Sequence, residues 1–61
     1  MLFRQGDVVI AHTKEMEGVP MIITHLSNKM RLCECEYWYA DVLFTEVFGF
    51  DEVTLLMEAE D

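Results

Sequence analysis

Basic side chains are absent from the second half of this chain. Arg4, Lys14, Lys29 and Arg31 all precede residue 32, where they meet three acids, whereas residues 32–61 carry nine acids and neither Lys nor Arg. A field of that sign repels phosphate backbones and argues against ordinary nucleic-acid binding. It would draw in a basic protein surface or imitate the charge of DNA. The simpler reading is that the acids keep a small, apolar domain soluble.

Other absences narrow the classes further. No apolar run approaches the roughly 18 residues of a membrane span, and Met1-Leu2-Phe3-Arg4 reaches Gly6-Asp7 without the apolar core of a signal peptide. No membrane association and a cytoplasmic location are therefore expected. Only two cysteines are present. Cys33 and Cys35 sit two apart, which on a strand separates their Cα atoms by roughly 6.5–7 Å, the outer limit for a disulfide. Reduced thiols fit better, and they fit the cytoplasm. With three glycines and one proline, the chain has no glycine-rich phosphate loop. It also lacks a nucleophile elbow and a spaced acid pair. Sixty-one residues leave little room for a concave substrate pocket. The expectation is a non-enzyme with no catalytic residue and no cofactor.

What is present is apolar. The hydrophobic fraction of 52% is too high for a disordered chain. A domain this short buries only roughly 60% of its unfolded-chain surface. Some apolar surface is therefore left for a partner or for self-association, so a homo-oligomer is among the expectations.

The chain is organised around Cys33-Glu34-Cys35-Glu36-Tyr37-Trp38-Tyr39. Its alternation predicts a strand with Cys33, Cys35, Tyr37 and Tyr39 on a dry face and Glu34, Glu36 and Trp38 on the other. Before it, Gly6-Asp7 reads as an entry turn and Val8 to His12 as a β-branched strand. Thr13 to Gly18 is a polar loop in which Met16 is expected to fold back over the sheet edge. Pro20 opens a second strand, with Met21 and Ile23 on one face. His25 to Lys29 reads as the next turn, and the third strand then runs from about Met30 to Tyr39. After the break at Ala40-Asp41, Val42 to Phe48 reads as a fourth strand. Gly49 to Glu52 is a tight turn or a single 3₁₀ turn, and Val53 to Met57 is a short fifth strand. Residues 1–57 thus form a single small β domain, and 58–61 form an acidic, solvated tail. The fold class is all-β: an SH3-like five-stranded barrel or a strongly bent antiparallel sheet.

Several anchor points resemble one family. They are Phe3-x-x-Gly6-Asp7-Val8-Val9, Gly18-x-Pro20-Met21-x-Ile23-x-x-Leu26, Cys33-x-Cys35-x-Tyr37-Trp38, and Phe48 followed by Val53. Together they look like the YodC-like small bacterial proteins, whose function is uncharacterised. That family typically carries a Gly-Asp-Val-Val opening, a Gly-Gly-Pro-x-Met-Thr-Val segment and a Cys-x-Trp-Phe strand. The resemblance covers most of residues 3–55. It departs at Val19, where a second glycine is usual, at Tyr37-Trp38, and in an extra stretch around residues 41–45. It implies a compact SH3-like β fold without known enzymatic activity and supplies no catalytic residues.

Two constellations invite a functional reading. Cys33 and Cys35 with His12 and His25 would make a Cys₂His₂ metal set, and a metal would help so small a domain. Against it, Cys-x-Cys is not the usual knuckle spacing, and cysteine is commonly a small core hydrophobe. The second is an aromatic and acidic surface formed by Trp38, Glu34, Glu36, Phe44 and Glu46. An exposed Trp38 flanked by carboxylates suits a cationic protein partner. The alternative packs Trp38 beneath the Thr13–Gly18 loop. The preferred expectation is a protein-interaction module that binds a partner, or itself, through this surface. A phage-type acidic inhibitor or nucleic-acid mimic aimed at a basic protein is the alternative, and a small Cys/His metal domain is a further one.

Overall fold

The computed structural model describes residues 2–13 and 18–60. The expected return of Met16 over the sheet edge lies outside the described residues. Five strands form one antiparallel sheet: β1 (Val8–Ala11), β2 (Pro20–Ser27), β3 (Leu32–Tyr39), β4 (Val42–Gly49) and β5 (Val53–Met57). Their order across the sheet is β4-β3-β2-β1-β5. All three central pairings join sequence neighbours, and β5 returns to the free edge of β1. Among the described residues β4 and β5 do not pair, so the sheet stays open. Of the two all-β forms that the sequence left open, the bent sheet is the one adopted. Among the described residues, no helix is long and apolar enough to cross a membrane.

The strands' alternation decides which face is buried. Val9, Ala11, Met21, Ile23, Cys33, Cys35, Phe48 and Val53 all turn to the inner face and are buried. A single sheet needs a cover, and it is supplied by two phenylalanines from outside the strands. Phe3 precedes β1, and Phe50 belongs to a 3₁₀ turn, Phe50–Glu52. Their rings meet edge-to-face at 5.2 Å, an arrangement favoured by the ring quadrupoles. The Arg31 guanidinium lies 5.6 Å from the Phe50 ring centroid, and the Arg31 carbonyl accepts the Phe50 N–H at 3.0 Å. Gly49, which precedes the turn, donates its N–H to Glu52 Oε1 at 2.7 Å.

A turn expected at His25 to Lys29 starts later. His25, Leu26 and Ser27 remain in β2, because a bulge between Ile23 and His25 restores the alternation. It leaves His25 opposite Glu34 and Leu26 opposite Cys33. An extra residue of this kind resets which side chains face inward without ending the strand. The turn itself occupies residues 28–31 and closes at Arg31, at φ 57°.

Asp7 is a buried acid, 2% exposed. Its carboxylate accepts the Arg4 N–H at 2.8 Å and the Ala59 N–H at 2.7 Å. Its own carbonyl accepts from Ile23 N–H at 2.9 Å. A buried carboxylate is tolerated only with such partners. Glu58 and Glu60 are exposed as expected of a solvated tail, but Ala59 between them is half-buried and pinned to Asp7.

Candidate functional site

Strand β3 places the residues singled out in the sequence on two different surfaces. Its inner side chains Cys33, Cys35 and Tyr37 are buried, while Glu34, Glu36 and Trp38 face outward. Tyr39 shares the inner face by register, yet it is 64% exposed, because β2 no longer covers β3 there. The β2–β3 ladder ends at Ile22 opposite Glu36. Beyond that pair, among the described residues, β3 is laddered to β4 alone: Tyr37 to Phe44, Trp38 to Leu43 and Tyr39 to Val42.

The outer surface is built around Trp38, which is 70% exposed. Glu36, Tyr37 and Trp38 form one wall of a groove of about 350 Å³, and Val8, Val19, Pro20 and Ile22 form the rest. Pro20 sits at the first position of β2, where its missing N–H removes a donor that would otherwise extend the ladder toward Trp38. A gap lined by apolar side chains remains, with a carboxylate at its side. Glu34 lies two residues further along the same face. Its carboxylate contacts Thr24 Oγ1 and His25 Nδ1, both at 3.2 Å.

Phe44 and Glu46 belong to the inner face instead. Antiparallel partners share a face, so Phe44 lies with Tyr37 and Glu46 with Cys35. The Tyr37 and Phe44 rings stack at 5.4 Å with 15° between planes. The Tyr37 hydroxyl donates to Glu46 Oε1 at 3.1 Å. Desolvation pushes the Tyr37 hydroxyl above its ordinary pKa, and the Glu46 carboxylate adds to the shift. The five residues grouped in the sequence therefore form a Trp38–Glu36–Glu34 outer face and a Phe44–Glu46 inner face.

The four metal candidates do not converge. Cys33 and Cys35 are buried, free thiols with Cys35 Sγ donating to Cys33 Sγ at 3.7 Å. His25 lies on the opposite face beside Glu34, and His12 follows β1, bonded to Thr54 Oγ1. No cluster of three or more ligating side chains occurs among the described residues. Burial pushes the Cys35 thiol up to about 12, with the neighbouring Cys33 contributing, and burial raises Cys33 as well. Thiols this hard to ionise are poor nucleophiles and poor ligands.

The acids likewise spread over several surfaces. Glu34 and Glu36 face outward, Glu46 inward, Asp41 occupies the hairpin tip, and Asp51 and Glu52 the 3₁₀ turn. Sequence reasoning missed the Val8, Pro20 and Ile22 wall of the groove. Its one signal was Pro20, which stops a ladder where it enters a strand.

Comparison with known proteins returned no matching family model, curated protein or solved structure.

Proposed function

We propose that the protein is a non-enzymatic interaction module whose outer groove receives an extended basic segment of a protein partner. The observation that carries this is Trp38, largely exposed in the wall of an apolar groove with Glu36 beside it. A large aromatic left in water next to a carboxylate forms a site for a guanidinium, by cation–π attraction and charge together. The apolar floor of Val8, Pro20 and Ile22 accommodates the methylene stem of such a side chain. The spread of acids over several surfaces supports a localised site over a phosphate-like row. The protonated thiols support residence in a reducing compartment. A relation to the YodC-like proteins, resting on the motif residues, accords with a module lacking catalytic groups.

Trp38 is the only tryptophan, so its fluorescence reports the site directly. Titration with a hexa-arginine peptide is expected to give a saturable change in emission that weakens as salt rises. Calorimetry with Trp38→Ala should show binding weaker by about tenfold, the scale of one partly desolvated cation–π contact. Glu36→Gln should lose less. Equal binding by Trp38→Ala would overturn the groove. Loss confined to charge reversal at Asp51 and Glu52 would favour the acidic-mimic reading.

A further inference from the structure

The two edges of the sheet are unlike. The β5 edge is five residues long, its pairing with β1 is broken by a bulge, and it runs into Glu58 and Glu60. Such devices discourage another strand from adding. The β4 edge has none of them. It is eight residues long, pairs with β3 without a register shift, and contains no proline and no lysine. Val42, Leu43, Phe44 and Val47 are all exposed on it, and its one charge is Glu46.

The direction of its free backbone groups follows from the hairpin turn. Ala40 and Asp41 both have positive φ, 51° and 64°, as a two-residue type I′ turn requires. Tyr39 and Val42 flank that turn and exchange their hydrogen bonds with each other. The bonded pairs then recur at every second position, so Phe44 and Glu46 also point their N–H and C=O groups toward β3. Leu43, Thr45 and Val47 are left with theirs directed away from the sheet.

We propose that this edge pairs with its own counterpart in a second copy of the chain, antiparallel, with the two-fold axis at Thr45. That register places Thr45 opposite Thr45 of the partner, Leu43 opposite Val47, Phe44 opposite Glu46 and Val42 opposite Phe48. Every outward backbone group then meets one of opposite kind, giving about six hydrogen bonds. The pairing is self-complementary in side chains too. Leu43 and Val47 join across the outer face, Val42 extends the inner core onto Phe48, and the single acid meets an aromatic ring rather than a second acid. A different register would bring an exposed acid opposite another or leave part of the apolar edge uncovered. The result is a continuous ten-stranded sheet, and it does not depend on what the Trp38 groove binds.

Sedimentation velocity on the full chain, from about 1 to about 200 µM, tests this over the range in which an edge pairing would be populated. The expected mass rises to twice the 7.1 kDa of the monomer. Because both copies are acidic, dimerisation should strengthen as salt rises, opposite to the expected behaviour of the groove. Thr45→Glu puts two like charges on the axis, beside the Glu36 that faces position 45 in each copy, and should weaken the dimer at least about tenfold, more so at low salt. Thr45→Pro removes an N–H that β3 does not use and should abolish the dimer, while far-UV circular dichroism shows the fold retained. Trp38→Ala should dimerise like wild type, which separates failure of the edge from failure of the groove. A monomer throughout the range overturns the proposal, as does a folded Thr45→Glu that dimerises undiminished at low salt. If Thr45→Pro does not fold, Thr45→Glu decides.

Discussion

From Cys33 to Cys35, β3 turns alternate side chains into a sealed interior. Beyond Tyr37, which is still buried, the same alternation continues through Trp38 and Tyr39 with solvent reaching both sides. The first part lies between β2 and β4 and under the Phe3–Phe50 lid, and its inner residues are 0–1% exposed. The second part, among the described residues, is paired with β4 alone, and Trp38, Tyr39, Val42, Leu43 and Phe44 all remain accessible. An apolar side chain contributes to stability only if something covers it. The contrast teaches that period tells which residues share a face, while neighbouring strands tell whether that face is a core.

Truncating one residue in each region should give very different losses of stability. Ile23→Ala empties a fully buried position and should cost about 2–4 kcal/mol. A core of this size supplies only about 3–5 kcal/mol, so the variant should be left marginal, with a measurable unfolded fraction at room temperature. Leu43→Ala, of similar chemistry on the exposed hairpin, should change the unfolding free energy from urea titration by no more than about 0.5 kcal/mol at concentrations where the chain is monomeric. Equal losses from the two would mean that the hairpin is as tightly covered as the core.

A second contrast uses pH. The Cys35 thiol is held protonated in the fold, raised from 9.0 to about 12 by burial. The unfolded chain releases this proton first, so it binds fewer protons than the native state between those values. Stability is then fully present below pH 9 and falls as pH climbs toward 12. Cys33 and Tyr37 are raised in the same direction and add to the slope. Urea midpoints measured across that window should decline, with a shallower decline in Cys35→Ala. A flat profile would mean that the thiol is not desolvated.

A modest effect of opposite sign is expected at the hairpin tip. Ala40 and Asp41 adopt the left-handed region, which costs most L-residues roughly 1–2 kcal/mol. Replacing the pair by Asn-Gly, the favoured type I′ dipeptide, should stabilise the hairpin by about 0.5–1 kcal/mol. The gain should appear as slower amide exchange at Tyr37, Tyr39, Val42 and Phe44 while Ile23 stays unaffected. Equal slowing across the sheet would show that the two regions open as one unit.

Much of the strand order was legible. Val53–Met57 needed only its β-branched and apolar run, and the buried pair Met21 and Ile23 needed only the period-two rule. The inner positions of β3 followed from the acidic residues between them. Three features were hidden, each for a physical reason. The bulge near Thr24 leaves no mark in composition, since it changes face assignment through backbone geometry alone. The burial of Asp7 depends on Ala59, 52 residues away, and a Gly-Asp turn looks the same with or without such a partner. The division of the candidate site arises because Trp38 and Phe44 are close in sequence while cross-strand register sends them to opposite faces. Only the pairing of Trp38 with Leu43, rather than with Phe44, determines this.

The hydrogen bond from Ala59 to Asp7 has a kinetic consequence. The β2–β3 and β3–β4 hairpins join neighbours in the chain and can form from local encounters in microseconds. Strand β5 must instead find β1 across nearly the whole chain, and the Asp7 carboxylate accepts its bond only after that closure. Bringing distant segments together costs chain entropy before any contact compensates for it. The bond that ties the tail to the first turn therefore belongs to the last stage of folding. Weakening it should act mainly on how fast the native sheet comes apart, leaving the rate at which its hairpins assemble nearly unchanged.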